Sequence, residues 1–274
     1  MKSLKGKTAI VTGASRGLGV VIAEALAREG VNLILTARSE APLREVAARL
    51  SRLGVDARVV AADVADARGR EQIIAAARDE LGPIDILVNN AGIEAIGRYE
   101  ATDPETIEKL VLVNVVAPML LTRALLPEML ARRSGQIVTI SSLAAKKGLP
   151  YNSVYAATKA AATSWAWGLR EELHGTGVRS SVISPGFISD SGMFSEYDTK
   201  AHWVAGESKP ESVGEAVVAA LTRDKAELIV SPGPIKLMLL LDAMSPSLTS
   251  WFFRRIGLYQ FYRKLAELVE ARPD

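Results

Sequence analysis

The 274-residue chain is expected to fold as a doubly wound, mainly parallel seven-stranded α/β sheet with helices on both faces, plus a C-terminal helical extension. Three observations carry this expectation. Short β-branched runs alternate with amphipathic stretches of about ten to twenty residues, the pattern of repeated βαβ units. Most of those runs are continuously apolar, as strands covered on both faces must be. The first helical stretches each stop at a glycine, which suits a left-handed C-terminal cap.

Residues 9–12 form the first apolar run, and a glycine-rich loop follows. A helix is expected over 18–29, stopped by Gly30, then a strand over 32–37 (NLILTA). The next helix covers 42–53 before Gly54, and the third strand 58–61 (RVVA). A helix over 70–81 ends at Gly82, and 84–88 (IDILV) is the fourth strand. An apolar helix follows, LVLVNVVAPML, interrupted by Asn114. Residues 136–140 (QIVTI), 178–183 and 227–230 complete the seven. Residues 1–231 read as one domain, and residues 232–274 as the extension.

Composition narrows the function. Hydrophobic residues at 49% and charged residues at 23% exclude a disordered chain. The 33 basic and 31 acidic residues, net +2, leave no electrostatic footprint for nucleic acid. There is no cysteine, so disulfides, thiolate metal sites and a cysteine nucleophile are excluded. His174 and His202 form no cluster, so no metal site is expected. No apolar run reaches the roughly 18 residues of a membrane span, and the longest, 110–121, is broken by Asn114 and Pro118. The apolar part of the leading MKSLKGKTAIVTG is too short for a signal peptide, which points to a cytoplasmic protein.

The loop after the first strand reads Thr12-Gly13-Ala14-Ser15-Arg16-Gly17-Leu18-Gly19. Gly13 permits a sharp turn. Gly17 and Gly19 leave room for a pyrophosphate against N–H groups at the positive helix end. Arg16 opposes the helix dipole, so another partner must use it. After the second strand, where an NAD site places an acid on the ribose 2′-hydroxyl, stand Ala37, Arg38 and Ser39. Two guanidiniums can clamp a 2′-phosphate, so NADP(H) is expected over NAD(H).

Tyr155 and Lys159 lie one helical turn apart on one face. A cation beside a phenol favours the phenolate, and such a tyrosine can exchange a proton with a substrate oxygen. Three features strengthen the pair. Ser141-Ser142 end the fifth strand, at the sheet edge where such folds bind ligands. Asn89-Asn90-Ala91-Gly92 end the fourth strand at that same edge. Asn114 stands in an apolar helix, and Pro118 has no N–H for its carbonyl, which is left free to hold a water.

Together TGASRGLG (12–19), Asp63-Val64, NNAG (89–92), Asn114, Ser142, YAATK (155–159) and Pro185-Gly186 resemble the short-chain dehydrogenase/reductases. These are NAD(P)-dependent oxidoreductases built on a single Rossmann domain, and the resemblance spans residues 7 to 190. It implies that Tyr155 is the acid/base, and that Lys159 holds the nicotinamide ribose and lowers the Tyr155 pKa. Ser142 would hold the substrate oxygen, with Ser141 the neighbouring candidate. Asp63 would bind the adenine amino group, and Asn90 would line the cofactor cleft. Ile188 would meet the carboxamide through its backbone. The Asn114 carbonyl would hold a relay water linking the lysine to solvent. Val64, Ala91, Gly92, Pro185 and Gly186 complete the expected cofactor contacts. The family often places a threonine five residues after Pro-Gly and a methionine two later. Here the stretch runs Phe187 to Met193, one residue longer, with Ser189 or Ser191 in the threonine's place.

The resemblance therefore implies an NADPH-dependent reductase of a ketone or aldehyde, reversible as an alcohol dehydrogenase, forming a homodimer or homotetramer. Its rival is a nucleotide sensor or scaffold with a lipid- or partner-binding tail. The resemblance also makes 1–231 the catalytic domain, with a substrate loop at 187–210, where Met193, Phe194, Tyr197 and Trp203 either suit an apolar substrate or belong to the core. Six of the fifteen aromatics fall within residues 251–262, on an amphipathic helical face flanked by Arg254, Arg255, Arg263 and Lys264. That face packs on its own domain or a partner subunit, covers the cleft, or sits in a membrane interface.

Overall fold

The computed structural model describes residues 3–189, 199–203 and 206–271. The main sheet contains β1 (Thr8–Thr12), β2 (Asn32–Ala37), β3 (Ala57–Ala61), β4 (Ile86–Asn89), β5 (Gly135–Ile140) and β6 (Val178–Pro185). Two short strands follow, β7 (Phe187–Ile188) and β8 (Glu207–Ser208), and then β9 (Glu227–Val230) closes the main sheet. All its pairings are parallel, in the order β3-β2-β1-β4-β5-β6-β9. The order reverses between β1 and β4, which opens a crevice at their C-terminal ends. The β7–β8 pair, a separate two-stranded sheet, is too short to leave a periodic signal in the sequence.

The helices are α1 (Leu18–Arg28), α2 (Glu40–Ser51), α3 (Ala67–Leu81), α4 (Pro104–Val111), α5 (Ala117–Ala131) and α6 (Ser153–Glu172). After α7 (Pro210–Arg223) come α8 (Ile235–Met244), α9 (Pro246–Arg255) and α10 (Leu258–Glu270). Two cores sandwich the sheet. Ile22, Leu26, Leu50 and Val217 bury one face; Ile73, Leu121, Leu125 and Leu173 bury the other. Ile10 and Val11 are neighbours in β1, yet each belongs to a different core and both are fully buried. This is why the strand has no polar alternation.

Gly30, Gly54 and Gly82 all take positive φ just past their helices. Both α2 and α3 begin earlier than the apolar periodicity indicates, at Glu40 and Ala67, because their first turns are polar. Asn114 and Pro118 do not break their helix. Residues Pro104–Ala131 form one continuous helix with a π-helical turn at Leu112–Val116, where the Ala117 N–H reaches the Leu112 carbonyl. Pro118 cannot close the ordinary bond to residue 114, and the wider turn absorbs the defect. By length and composition alone this 28-residue helix could cross a membrane. Here Leu110, Leu121 and Leu125 bury it as a core helix.

Candidate active site

The crevice between β1 and β4 opens into a cavity of about 770 Å³. Ser15, Arg16, Gly17 and Leu18 from the first loop line one end, with Ala37, Arg38, Ser39, Asp63 and Val64 beside them. Asn90, Ala91 and Gly92 line the middle, and Ser142, Tyr155, Lys159, Pro185, Gly186 and Ile188 the other end. Residues 235 to 265 of the extension supply the far wall.

Local packing explains how the loop is aimed. Gly17 is the N-cap of α1 at φ 59 and has no side-chain cap, so the first-turn N–H groups face the crevice unblocked by a side chain. Arg16 and Arg38 are exposed at the same end. Gly19 does not face the crevice. A Cβ there would stand 2.1 Å from the Gly13 carbonyl oxygen, so its absence lets α1 close on the turn that follows β1. Thr12 is also turned away: its hydroxyl donates to the Val88 carbonyl and accepts from the N–H groups of Asn90 and Ala91. Both were expected among the cofactor contacts; packing holds them behind the loop, where they shape it. The Asn90 amide donates to the Thr12 carbonyl at 2.8 Å, fixing NNAG against the loop.

Asp63 uses one carboxylate oxygen to accept from the Ala65 N–H, and Arg70 donates to the Val64 and Ala65 carbonyls. Gly69 makes this turn achievable, since a Cβ there would stand 2.2 Å from the Asp63 carbonyl oxygen.

The end of the cavity at Tyr155 and Lys159 is a polar network under apolar cover. Tyr155 and Lys159 are buried on α6, with the ammonium 5.7 Å from the phenol ring. Lys159 donates to the Ile140 carbonyl at 2.9 Å. Burial lowers its pKa from 10.5 to about 8, and the Glu94 charge partly offsets this. Ser142 caps a 3₁₀ turn by accepting from the Ala144 N–H, with its side chain on the cavity. Ser141 binds the Lys159 carbonyl and the Thr163 hydroxyl inside α6. Both serines line the cavity; Ser141 is tied into α6, whereas the Ser142 hydroxyl bonds within its own turn.

Asn114 is buried beneath the cavity wall and does not line it. Its amide accepts from the Ile93 N–H and donates to the Ile93 carbonyl, both at 2.9 Å, and donates to Thr158 at 3.0 Å. Thr158 in turn donates to the Tyr155 carbonyl at 2.7 Å. The Asn114 side chain therefore couples the NNAG segment to the catalytic helix. Gly92 makes room for it: a Cβ there would lie 3.3 Å from both the Asn114 oxygen and the Lys159 nitrogen.

Three residues escaped the sequence reading. Glu94 lines the cavity and accepts from the Asn152 amide at 2.6 Å. Its signal was an acid two residues past NNAG, ambiguous with a solvated loop residue. Lys147 pairs with Asp242, pinning α8 to the catalytic domain, a contact between residues 95 apart that no local pattern announces.

Trp203 is exposed, and Ser189 bonds the Ser208 carbonyl. Ser191, Met193, Phe194 and Tyr197 lie outside the described residues. In the extension, Phe253, Leu258, Tyr262 and Leu265 are buried together with Ile96, and Leu149 and Phe187 pack against them. The Phe187 and Phe261 rings meet edge to face at 5.7 Å. Burial, reinforced by the Glu94 charge, pushes the Tyr262 phenol well above its usual range.

Among the described residues no cluster of three metal-ligating side chains exists. The short chain dehydrogenase family profile matches residues 7–202. A ketoacyl reductase, HetN, of Nostoc sp. is 42% identical over 272 residues, covering 97% of this chain and 95% of the relative. A solved metagenomic short-chain oxidoreductase in complex with NADP aligns at a TM-score of 0.72 and 31% identity, over 83% of this chain and 97% of its own. The alcohol dehydrogenase of Thermococcus sibiricus, complexed with 5-hydroxy-NADP, aligns at 0.74 and 30%, over 82% of this chain and 96% of its own.

Proposed function

The chain belongs to the short-chain dehydrogenase/reductase family, and on that premise we propose that it is an NADPH-dependent reductase of a ketone or aldehyde on an apolar substrate. As a member it is an oxidoreductase acting on CH–OH groups. The observation that carries the finer reading is one continuous cavity, with Arg16 and Arg38 at one end and Ser142, Tyr155 and Lys159 at the other.

The cavity suits a dinucleotide. The uncapped α1 N-terminus, with Gly17 at positive φ, offers N–H donors to a pyrophosphate. Of the cavity's lining residues, Asp63 and Val64 would hold the adenine, Arg16 and Arg38 the 2′-phosphate, and Lys159 with Ile188 the nicotinamide. The bound cofactor supplies the hydride.

The protein's own residues do the rest. Ser142 donates to the carbonyl oxygen and orients it. Tyr155 delivers its phenolic proton to that oxygen as negative charge develops there. Lys159 holds the tyrosine's charge balance from within one helical turn. The Asn114 carbonyl, deprived of a donor by Pro118, holds the water that returns the proton. Ile96, Leu149, Phe253, Leu258 and Leu265 exclude bulk water and favour an apolar substrate. The naming of one relative as a ketoacyl reductase supports that substrate class. Exposed Val111, Leu112, Leu120 and Trp167 on α4 to α6 support pairing of two copies through those helices.

The test is a panel of ketones, 3-ketoacyl thioesters and aldehydes, each with NADPH and with NADH. The expected result is turnover of apolar members with NADPH favoured. No carbonyl turnover would overturn the reaction, and equal use of NADH would overturn the assignment of the arginines.

A further inference from the structure

We propose that the outer face of α8 and α9 is a docking surface for an anionic lipid bilayer. The argument starts from α8, whose sequence is IKLMLLLDAM. A helix apolar on two opposite sides is ordinarily buried on both. None of the residues of α8 is buried. One side, through Ile235, Met238, Leu239 and Asp242, lines the cavity. The opposite side, Leu237, Leu240, Leu241 and Met244, faces outward, with Met244 76% exposed. The two sets lie half a turn apart, so α8 is a thin wall with an apolar surface on each side.

Helix α9 continues the outward face. Leu248, Trp251 and Phe252 recur at steps of three and four and are all exposed, while Phe253 turns inward. So many exposed rings and leucines on adjoining helices would be an aggregation hazard in water.

Charge selects the occupant. The cations of α8 and α9 are Lys236, Arg254 and Arg255, and Arg255 stacks 6.0 Å from the Trp251 ring. Their one acid, Asp242, is turned inward and neutralised by Lys147. An apolar face carrying aromatics, rimmed by cations and bare of acids, is complementary to anionic headgroups over acyl chains. A second copy fits less well. A two-fold contact would press this patch against itself, bringing its cations together with no acid in the patch to pair them.

The test is co-sedimentation of the full chain with vesicles of phosphatidylcholine alone and of equal parts phosphatidylcholine and phosphatidylglycerol. Binding to the phosphatidylglycerol vesicles and little to phosphatidylcholine is expected. Arg254→Gln with Arg255→Gln should lower that partition coefficient by about thirty-fold, at ~1 kcal/mol per cation. Leu240→Gln with Met244→Gln should abolish binding. None of these four residues lines the cavity, so an unchanged melting temperature and NADPH affinity verify each variant's fold. The proposal is overturned if wild type stays in solution with both vesicle types. It is equally overturned if the Leu240→Gln, Met244→Gln protein sediments as before, or if that variant lowers the subunit number of the lipid-free protein, which would assign the face to a second copy.

Discussion

Asn114 below the cavity and Tyr262 above it are both buried polar side chains, yet they are held by different means. Asn114 makes three directed hydrogen bonds, to both polar groups of the Ile93 backbone and to Thr158. Tyr262 is set by ring contacts, 5.5 Å from Phe261 and 6.4 Å from Phe187. Directed bonds tolerate one residue type in one orientation. Ring and aliphatic packing tolerates many residues of similar volume. On the proposed function, the floor would fix the chemistry and the roof would set which substrate meets it.

The largest effect should come from breaking the floor. Lys159→Met keeps the stem of the side chain but removes the ammonium. It should lower kcat/KM by about three orders of magnitude, the scale of lost acid–base assistance. Steady-state kinetics with an apolar ketone checks this. If catalysis falls less than tenfold, the floor is not the seat of the chemistry.

Breaking the roof should cost stability and selectivity. Leu265→Ala empties a nearly fully buried site in α10, which should destabilise the roof by about 3 kcal/mol. Thermal melts should report this, and KM for long apolar substrates should rise. NADPH affinity should stay unchanged, because the cofactor end of the cavity is built from β1, β2 and β3. A parallel loss of NADPH affinity would show that floor and roof are not separable.

A third substitution tests the far end of the floor. Arg38→Asp should weaken NADPH binding by roughly 1.5–3 kcal/mol, the range of a charged hydrogen bond, and spare NADH. Isothermal titration with both cofactors measures it.

How much of this was legible follows from the same contrast. TGASRGLG, NNAG and YAATK stand out because turns, helix N-termini and proton transfer need particular residues at fixed spacings. Even there, the expected contacts Thr12 and Gly19 lie turned from the crevice here, since sequence does not separate a glycine that admits a ligand from one that admits a neighbouring loop. The π-turn around Asn114 was invisible: Pro118 announced a missing bond, but not whether the helix would stop or widen. In the roof only amphipathicity could be read. The aromatics of 251–262 predicted a packed face, but its partners Ile96, Leu149 and Phe187 are distant in sequence and chemically ordinary. Glu94 and the Lys147–Asp242 pair join floor to roof and were missed for that reason.

The smallest effect is a pH dependence. In the folded protein the Lys159 pKa is depressed from 10.5 to about 8. Below that value both folded and unfolded chains carry the proton, and burial of the charge destabilises in full. Between about 8 and 10.5 only the unfolded chain carries it, so this contribution to stability improves as pH rises. NADPH binding should run the other way, weakening by up to tenfold per pH unit above about 8 as the ammonium is lost. Glu94→Gln should shift that midpoint downward, because the Glu94 charge favours the ammonium. Binding isotherms across neutral to alkaline pH read both changes, and a flat profile would remove Lys159 from the cofactor site.

The central claim, that Tyr155 is the proton donor to a substrate oxygen, is tested most directly by Tyr155→Phe. Its NADPH-dependent turnover of an accepted ketone is measured together with its Kd for NADPH. The account predicts that kcat falls by two or more orders of magnitude, about the scale of an essential acid, while Kd moves less than about twofold. A Tyr155→Phe protein that keeps most of its kcat would contradict it.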